Sequence, residues 1–374
     1  MAGPLAGTTI VELAGIGPAP FAGMLLADLG ARVVRVDRPG AVDPVGHGII
    51  NRSRVRLGVD LKDPDGVAVV RRLATVADGL VEGYRPGVLE RIGLGPDVLL
   101  ADNPALVVGR MTGWGQEGPW AQAAGHDIDY VAVTGALDAI GRRGAPPTVP
   151  LNLVGDFGGG ATYLVIGMLA GILHARATGT GQVVDAAMVD GASSLMAMAR
   201  DLADTGLRRP ERGTNLLDSG AWFYDTYRCA DGRWLALGPI EPRFRAELVR
   251  LLDLDERFED GDDPRHWEEL SEALAAVVAT RPLAEWDDLL AGTDACYAPV
   301  LTLDEAPSHP HLAARQTHVE VDGRMQPAPA PRFSATPSAV PTTRSDVRAV
   351  DDLLGDAGMD PDEVTGLRDR GILI

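Results

Sequence analysis

Residues 9–37 read TIVELAGIGPAPFAGMLLADLGARVVRVD, and this stretch decides the fold. Thr9-Ile10-Val11-Glu12-Leu13 is an apolar run of strand length. Ala14-Gly15-Ile16-Gly17-Pro18-Ala19-Pro20 follows as a loop. Phe21 to Leu29 spaces its apolar residues as a helix does, and Gly30 ends it. Ala31 to Val36 is a second strand, closing at Asp37-Arg38-Pro39. Strand, helix and strand in this order make a βαβ unit with parallel strands. Folds built from such units gather ligands outside the carboxyl ends of the strands. Gly15 and Gly17 match the first two glycines of a dinucleotide fingerprint, and Asp37 lies where its ribose-binding acid would. Pro20 takes the third glycine's place and Pro18 stiffens the turn, so the fingerprint is incomplete.

Outward from this unit the alternation continues. Gly66 to Thr75 reads as a helix, Gly79 to Gly83 as a strand, Val88 to Ile92 as a helix and Leu106 to Met111 as a strand. A parallel sheet covered by helices is the expected result, in an α/β protein. Leu151-Asn152-Leu153-Val154 reads as a strand-like run leading to Asp156, with a helix from there to about Ala177. Gln182 to Ala186 is a further strand and Val189 to Ala203 a further helix. Residues 1–204 thus form a large domain, and the turn-rich residues 205–224 a linker. Residues 225–312 form a smaller α+β domain. It opens with a hairpin turning at Asp231-Gly232, and Glu241-Pro242 starts its first helix. The proline-rich stretch 313–334 is a second linker, and residues 335–374 return to the large domain.

A chain of 374 residues is long for one core, which agrees with two domains. Its net charge of −19 argues against general binding to nucleic acid or anionic membrane. Residues 30–62 run against that charge. They hold Arg32, Arg35, Arg38, Arg52, Arg54, Arg56 and Lys62 against Asp37, Asp43 and Asp60. A basic island on an acidic protein fits either a small polyanion or a salt-bridged face. Cys229 and Cys296 make no disulfide framework, and no Cys/His cluster has metal spacing. No metal is expected. The N-terminus lacks the charged and apolar regions of a secretory signal. The apolar run Tyr163 to Leu173 is too short to span a bilayer. A cytoplasmic protein is expected.

Residues 110–160 carry the candidate chemistry. Gly125-His126-Asp127 and Gly155-Asp156-Phe157-Gly158-Gly159-Gly160 each set a titratable group beside glycine in a charge-poor segment. Histidine titrates near neutrality, so a modest shift makes it an acid or a base.

These two motifs resemble the catalytic signatures of the α-methylacyl-CoA racemases, a branch of the family III CoA transferases. Val36-Asp37-Arg38-Pro39, Glu82-Gly83-Tyr84-Arg85-Pro86-Gly87 and Gly238-Pro239-Ile240-Glu241-Pro242 resemble further motifs of that group. The resemblance runs from Val11-Glu12-Leu13 to the tail. It implies a modified Rossmann-like large domain and an interlocked homodimer. The active site would lie between the large domain of one chain and the small domain of the other. It implies an acyl-CoA substrate, with coenzyme A part of the substrate and no separate cofactor.

The implied reaction inverts the α-carbon of a 2-methylacyl-CoA thioester by 1,1-proton transfer through an enolate. His126 and Asp156 would flank that carbon and share one mobile proton. The backbone N–H of Asp127 would receive the enolate oxygen, and Glu241 of the partner chain would orient His126. By the same match Arg38, Arg85 and Arg91 would reach the nucleotide phosphates. Val59, Asp60, Leu61 and Lys62 would frame the adenine, with Gly83 and Tyr84 on the same wall. Gly125 and Tyr130 belong to the same binding set. Met111, Met188, Met196 and Met198 could offer a soft acyl surface.

Three alternatives stay open on sequence. A family III CoA transferase would use Asp156 as a nucleophile; His126 speaks against it, since transferases generally hold a non-basic residue there. A nicotinamide-dependent oxidoreductase would use the partial glycine pattern. A non-catalytic acyl-CoA carrier would need neither His126 nor Asp156. The acyl chain is equally open: branched fatty, sterol side-chain and aryl-propionyl groups all fit.

Overall fold

The computed structural model describes residues 3–41, 48–258, 261–342 and 347–374. Its main sheet has six strands: β1 (Thr9–Leu13), β2 (Arg32–Asp37), β3 (Val55–Gly58), β4 (Gly79–Glu82), β5 (Val107–Thr112) and β6 (Gln182–Ala187). Their order is β3-β2-β1-β4-β5-β6, and every pairing is parallel. The order reverses between β1 and β4, which makes their carboxyl ends the topological switch point. The sequence reading omits β3, whose four residues include Arg56 and lack a clear alternation.

Helices α1 (Pro18–Asp28), α2 (Pro64–Thr75), α3 (Val88–Arg91) and α4 (Pro96–Asp102) connect the first strands. Helix α1 begins earlier than its apolar period, because Pro18 and Pro20 fit a first turn that needs no N–H donor. After β5 come α5 (Asp127–Val133) and α6 (Ala136–Ala139). A π-helix, Leu153–Ala161, then runs directly into α7 (Thr162–Thr178); α8 (Met188–Leu195) and α9 (Ala197–Asp204) follow β6. Two expectations change here. Asp156 does not end a strand: Leu153 and Val154 already belong to the π-helix. The single helix expected over 189–203 is broken at Met196.

Side chains alternate between the two faces of each strand. Val11, Val34 and Leu80 pack with Val70 and Leu73 of α2 on one face. Ile10, Val33 and Val81 pack with Leu26 of α1 and Leu164 and Met168 of α7 on the other. The helical run Leu153–Thr178 is 26 residues long and holds an 18-residue stretch with a mean hydropathy of 1.4, long and apolar enough to cross a membrane. The expectation of a run too short to span counted only its central part. Leu164, Val165, Met168 and Ile172 are nonetheless buried in the core on this face of the sheet.

The chain divides into two compact units: 1–134, 151–195 and 311–374 form one, and 135–150 and 196–310 the other. The second unit has an antiparallel sheet of β7 (Asp225–Arg228), β8 (Trp234–Leu237) and β9 (Tyr297–Pro299), with α10 (Pro242–Leu252), α11 (Trp267–Val278) and α12 (Leu283–Leu290). This division moves several expected boundaries. Residues 135–150 lie in the second unit, not the large domain. Residues 205–224 are no linker, because Ala221, Trp222 and Phe223 are buried in the second unit's core. The stretch 313–334 holds the end of α13 (Pro310–Ala314) and a hairpin of β10 (His318–Val321) and β11 (Arg324–Pro327), turning at Asp322-Gly323.

The last helices, α14 (Val347–Asp356) and α15 (Pro361–Asp369), return to the first unit. The residues after them close the free edge of β3. Gly58 and Ile374 exchange N–H···O bonds of 2.9 Å each way, and the Asp60 N–H donates to the Ile372 carbonyl at 3.0 Å. The basic island is largely structural. Arg52 is buried against Asp28 and Arg54 against Glu12, Arg35 and Arg56 share Asp37, and Arg32 meets Asp356. Asp43 lies outside the described residues.

Candidate active site

Two clefts open at the carboxyl edge of the main sheet and share Ile16 and Tyr84 as lining residues. The first has a volume of about 820 Å³. It collects the ends of β1, β2, β3 and β4: Ile16, then Arg38, then Val59, Asp60, Leu61 and Lys62, then Tyr84. Asp37 at its floor is held by Arg35 at 3.1 Å and Arg56 at 2.8 Å. The acid that a dinucleotide ribose would need is therefore already engaged. Arg38 is exposed, and no acid among the described residues pairs with the side chain of Arg38 or Lys62.

The second cleft, about 510 Å³, takes Gly17, Gly83, Tyr84, Arg85, Gly125, His126, Tyr130 and Asp156 into one wall system. His126 is exposed and immediately precedes α5; its backbone N–H donates to Asp129 Oδ2 at 3.0 Å. Asp127 is the first residue of α5, where a backbone N–H has no intrahelical acceptor. Asp156 projects from the π-helix and is half-buried. Asn152 Nδ2 lies 3.4 Å from Asp156 Oδ2, and the Asp156 N–H donates to Asp127 Oδ1 at 2.6 Å. Gly17, at φ 68°, faces the carboxyl; a Cβ there would stand 3.2 Å from Asp156 Oδ2. π-Helical turns are uncommon and concentrate at functional sites.

Burial raises the Asp156 carboxyl above its ordinary value. The Asn152 hydrogen bond opposes that rise, the Asp127 charge adds to it, and His126 opposes it. A carboxyl so placed holds a proton more firmly than a surface acid. Tyr130 donates its hydroxyl to the Gly125 carbonyl and meets the Trp114 ring edge-on at 4.8 Å. Burial, then the charge of Asp156, raises the Tyr130 phenol, and Arg85 opposes this.

The Gly83-Tyr84-Arg85 wall is braced from below. Glu82 ends β4 fully buried, accepting from Arg110 Nε at 3.0 Å and from the Tyr84 N–H at 2.6 Å. Arg110 also reaches Glu90 at 2.8 Å.

Of the expected site residues that belong to the first unit, all but Arg91 and Asp127 line one of the two clefts. Arg91 ends α3; its neighbour Gly87 would place a Cβ 3.2 Å from Arg91 Nη1. Glu241 belongs to the second unit, exposed at the N-cap of α10. Met111 and Met188 line the second cleft, whereas Met196 and Met198 belong to the second unit. Sequence reasoning missed Asn152 and Trp114. Asn152 lies one turn before Asp156, a relation hidden when the segment is read as a strand.

The description "CoA-transferase family III" is that of the family model matching residues 5–348. The chain is 44% identical over 345 residues to an alpha-methylacyl-CoA racemase of Mus musculus, covering 91% of this chain and 89% of that one. It is 40% identical over 374 residues to an alpha-methylacyl-CoA racemase of Homo sapiens, covering 99% and 97%. The crystal structure of a CAIB/BAIF family protein from Brucella suis superposes with a TM-score of 0.82 at 26% identity, covering 95% of this chain and 100% of that one.

Proposed function

This chain belongs to CoA-transferase family III, and from that premise we infer that it works as an α-methylacyl-CoA racemase. The observation that carries the reading is that His126 and Asp156 line one cleft. The coenzyme A nucleotide would occupy the first cleft, with Arg38 and Lys62 as charge-assisted donors to its phosphates. Its pantetheine arm would pass the shared Ile16 and Tyr84, bringing the thioester to the second cleft.

There His126 takes the α-proton of one epimer, and protonated Asp156 delivers a proton to the opposite face. The roles reverse for the other epimer. Burial of Asp156 supports this, because the mechanism needs one of the two groups to carry a proton. The Asp127 N–H, at the positive end of α5, would receive the enolate oxygen. Glu241 would come from the second chain of a homodimer to hold the imidazole. Coenzyme A is part of the substrate, and the reading requires no separate cofactor or metal. A cytoplasmic place in lipid metabolism, away from nucleic acid and membrane, belongs to the same reading and agrees with the charge of −19.

The test is incubation of a resolved 2-methylacyl-CoA in deuterated water. Deuterium should enter the α-position from either epimer while the two interconvert. H126A and D156A should each lose inversion by roughly 10²–10⁴-fold. Each should also lose most exchange from the epimer whose proton faces the missing group. Capture of an acyl group on Asp156 by hydroxylamine, with no deuterium at the α-position, would instead establish a CoA transferase.

A further inference from the structure

Asp127 has a side chain as well as a backbone N–H, and the two point to different tasks. Its carboxylate is buried, with only 8% of the residue exposed. Oδ1 accepts the Asp156 N–H at 2.6 Å, while Oδ2 has no hydrogen-bond partner among the described residues. Gly155 makes the room, since a Cβ there would stand 2.4 Å from Oδ1. One oxygen thus ties α5 to the π-helix at the residue whose carboxyl faces the cleft. The other is a buried acceptor left unmatched, which is costly unless its charge serves a purpose. The negative charge of Asp127 works against ionisation of Asp156.

We propose that the Asp127 carboxylate is a positioning residue for Asp156. It fixes the Asp156 backbone at the cleft, and it sets a second negative charge behind Asp156 so that the proton stays there until the substrate takes it. The proposal rests on the racemase reading.

Other titratable and charged groups surround Asp156: from the segment after β4, Tyr84 and Arg85 line the same cleft. From α5 come His126 and Tyr130, and Asp129 is bonded to the His126 N–H. From β5, Arg110 is committed to Glu82 and Glu90, and from β6, Asp185 takes the Gln116 N–H. From α1, Asp28 is committed to Arg52. Helix α7 carries His174 and Arg176 near its far end, and α8 carries the exposed Asp190. Among all of these, only Asp127 and His126 act as charges on the acidity of Asp156.

The experiment compares wild type, D127N and D127S with one resolved 2-methylacyl-CoA, following kcat, KM and α-proton exchange from acid to alkaline pH. Both variants are neutral, and both can still offer an oxygen to the Asp156 N–H. Expected, for the epimer whose α-proton His126 takes and Asp156 replaces, are an unchanged KM, a lower kcat at neutral pH and an alkaline limb displaced to lower pH. D127A, which also loses the tether, should fall further, on the order of 10²-fold in kcat. A kcat lowered by one factor at every pH, with the limb in place, overturns the proposal. So does an unchanged profile, or failure of both neutral variants to fold, which would make Asp127 purely structural. Absence of exchange in wild type sinks the racemase reading instead, so the two failures are told apart.

Discussion

Glu12 and Arg54 show how one buried pair can steady a site it does not enter. Both side chains are fully buried, with Glu12 Oε1 2.7 Å from Arg54 Nη1. Arg54 also donates to the carbonyls of Pro20 and Ile50, joining β1, the first turn of α1 and the segment before β3. Burial raises the Glu12 carboxyl to about 7, against the pull of Arg54 and Arg35. A carboxyl raised on folding binds protons more tightly in the native state. Its contribution to stability is therefore fully present below its ordinary value of 4.5 and lost as pH rises through about 7. Glu12→Gln removes that dependence while keeping an oxygen for Arg54. The stability of wild type relative to E12Q should decline between pH 5 and pH 8, as read from urea midpoints at the two values. A constant difference would show that Glu12 stays ionised throughout.

The π-helix is the element on which the site turns. It packs against α8 so closely that a Cβ at Gly191 would stand 1.8 Å from the Gly159 carbonyl oxygen, and one at Gly159 would stand 2.6 Å from the Ala192 nitrogen. Gly191→Ala should therefore push the π-helix away and cost about 1–3 kcal/mol, the usual range for overpacking. A urea unfolding curve measures that loss, and kcat should fall with it because Asp156 moves. Stability unchanged by the methyl would mean the contact is slack.

This element also marks the limit of what the sequence discloses. The strands from Thr9 to Met111 follow from apolar runs between turn formers, and the parallel order follows from their alternation with helices. His126 and Asp156 stand out because glycine flanks them. The π-helical turn has no such signature: Leu151-Asn152-Leu153-Val154 carries a strand's composition, and the contacts that accompany its helical form, with Gly191 and the Asp127 carboxylate among them, come from distant sequence. Asn152 and the Asp127 carboxylate were hidden for that reason. Strand β3 was hidden because its pairing partners, β2 and residues 372–374, lie apart from it in sequence.

At the scale of the whole molecule, the proposed reading makes each site the work of two chains. Glu241 would serve the His126 of a second copy, so H126A and E241A damage opposite contributions to the same site. Each variant alone should be weak. Coexpressed, they should form mixed dimers in which one site carries both changes and the other carries neither. Recovered activity in the mixed sample, absent from the two pure ones, is the expected outcome; none at all would place Glu241 outside the site. A last consequence follows from the way Ile372 and Ile374 pair with Gly58 and Asp60. Asp60 lines the first cleft, so that cleft's rim waits on residues translated long after the sheet itself. During synthesis a chain acquires His126 and Asp156 while the edge of β3 is still bare, and a bare edge invites pairing with foreign strands. On the proposed reading, the nascent protein thus has its chemistry before its grip, and its most adhesive interval falls between the two.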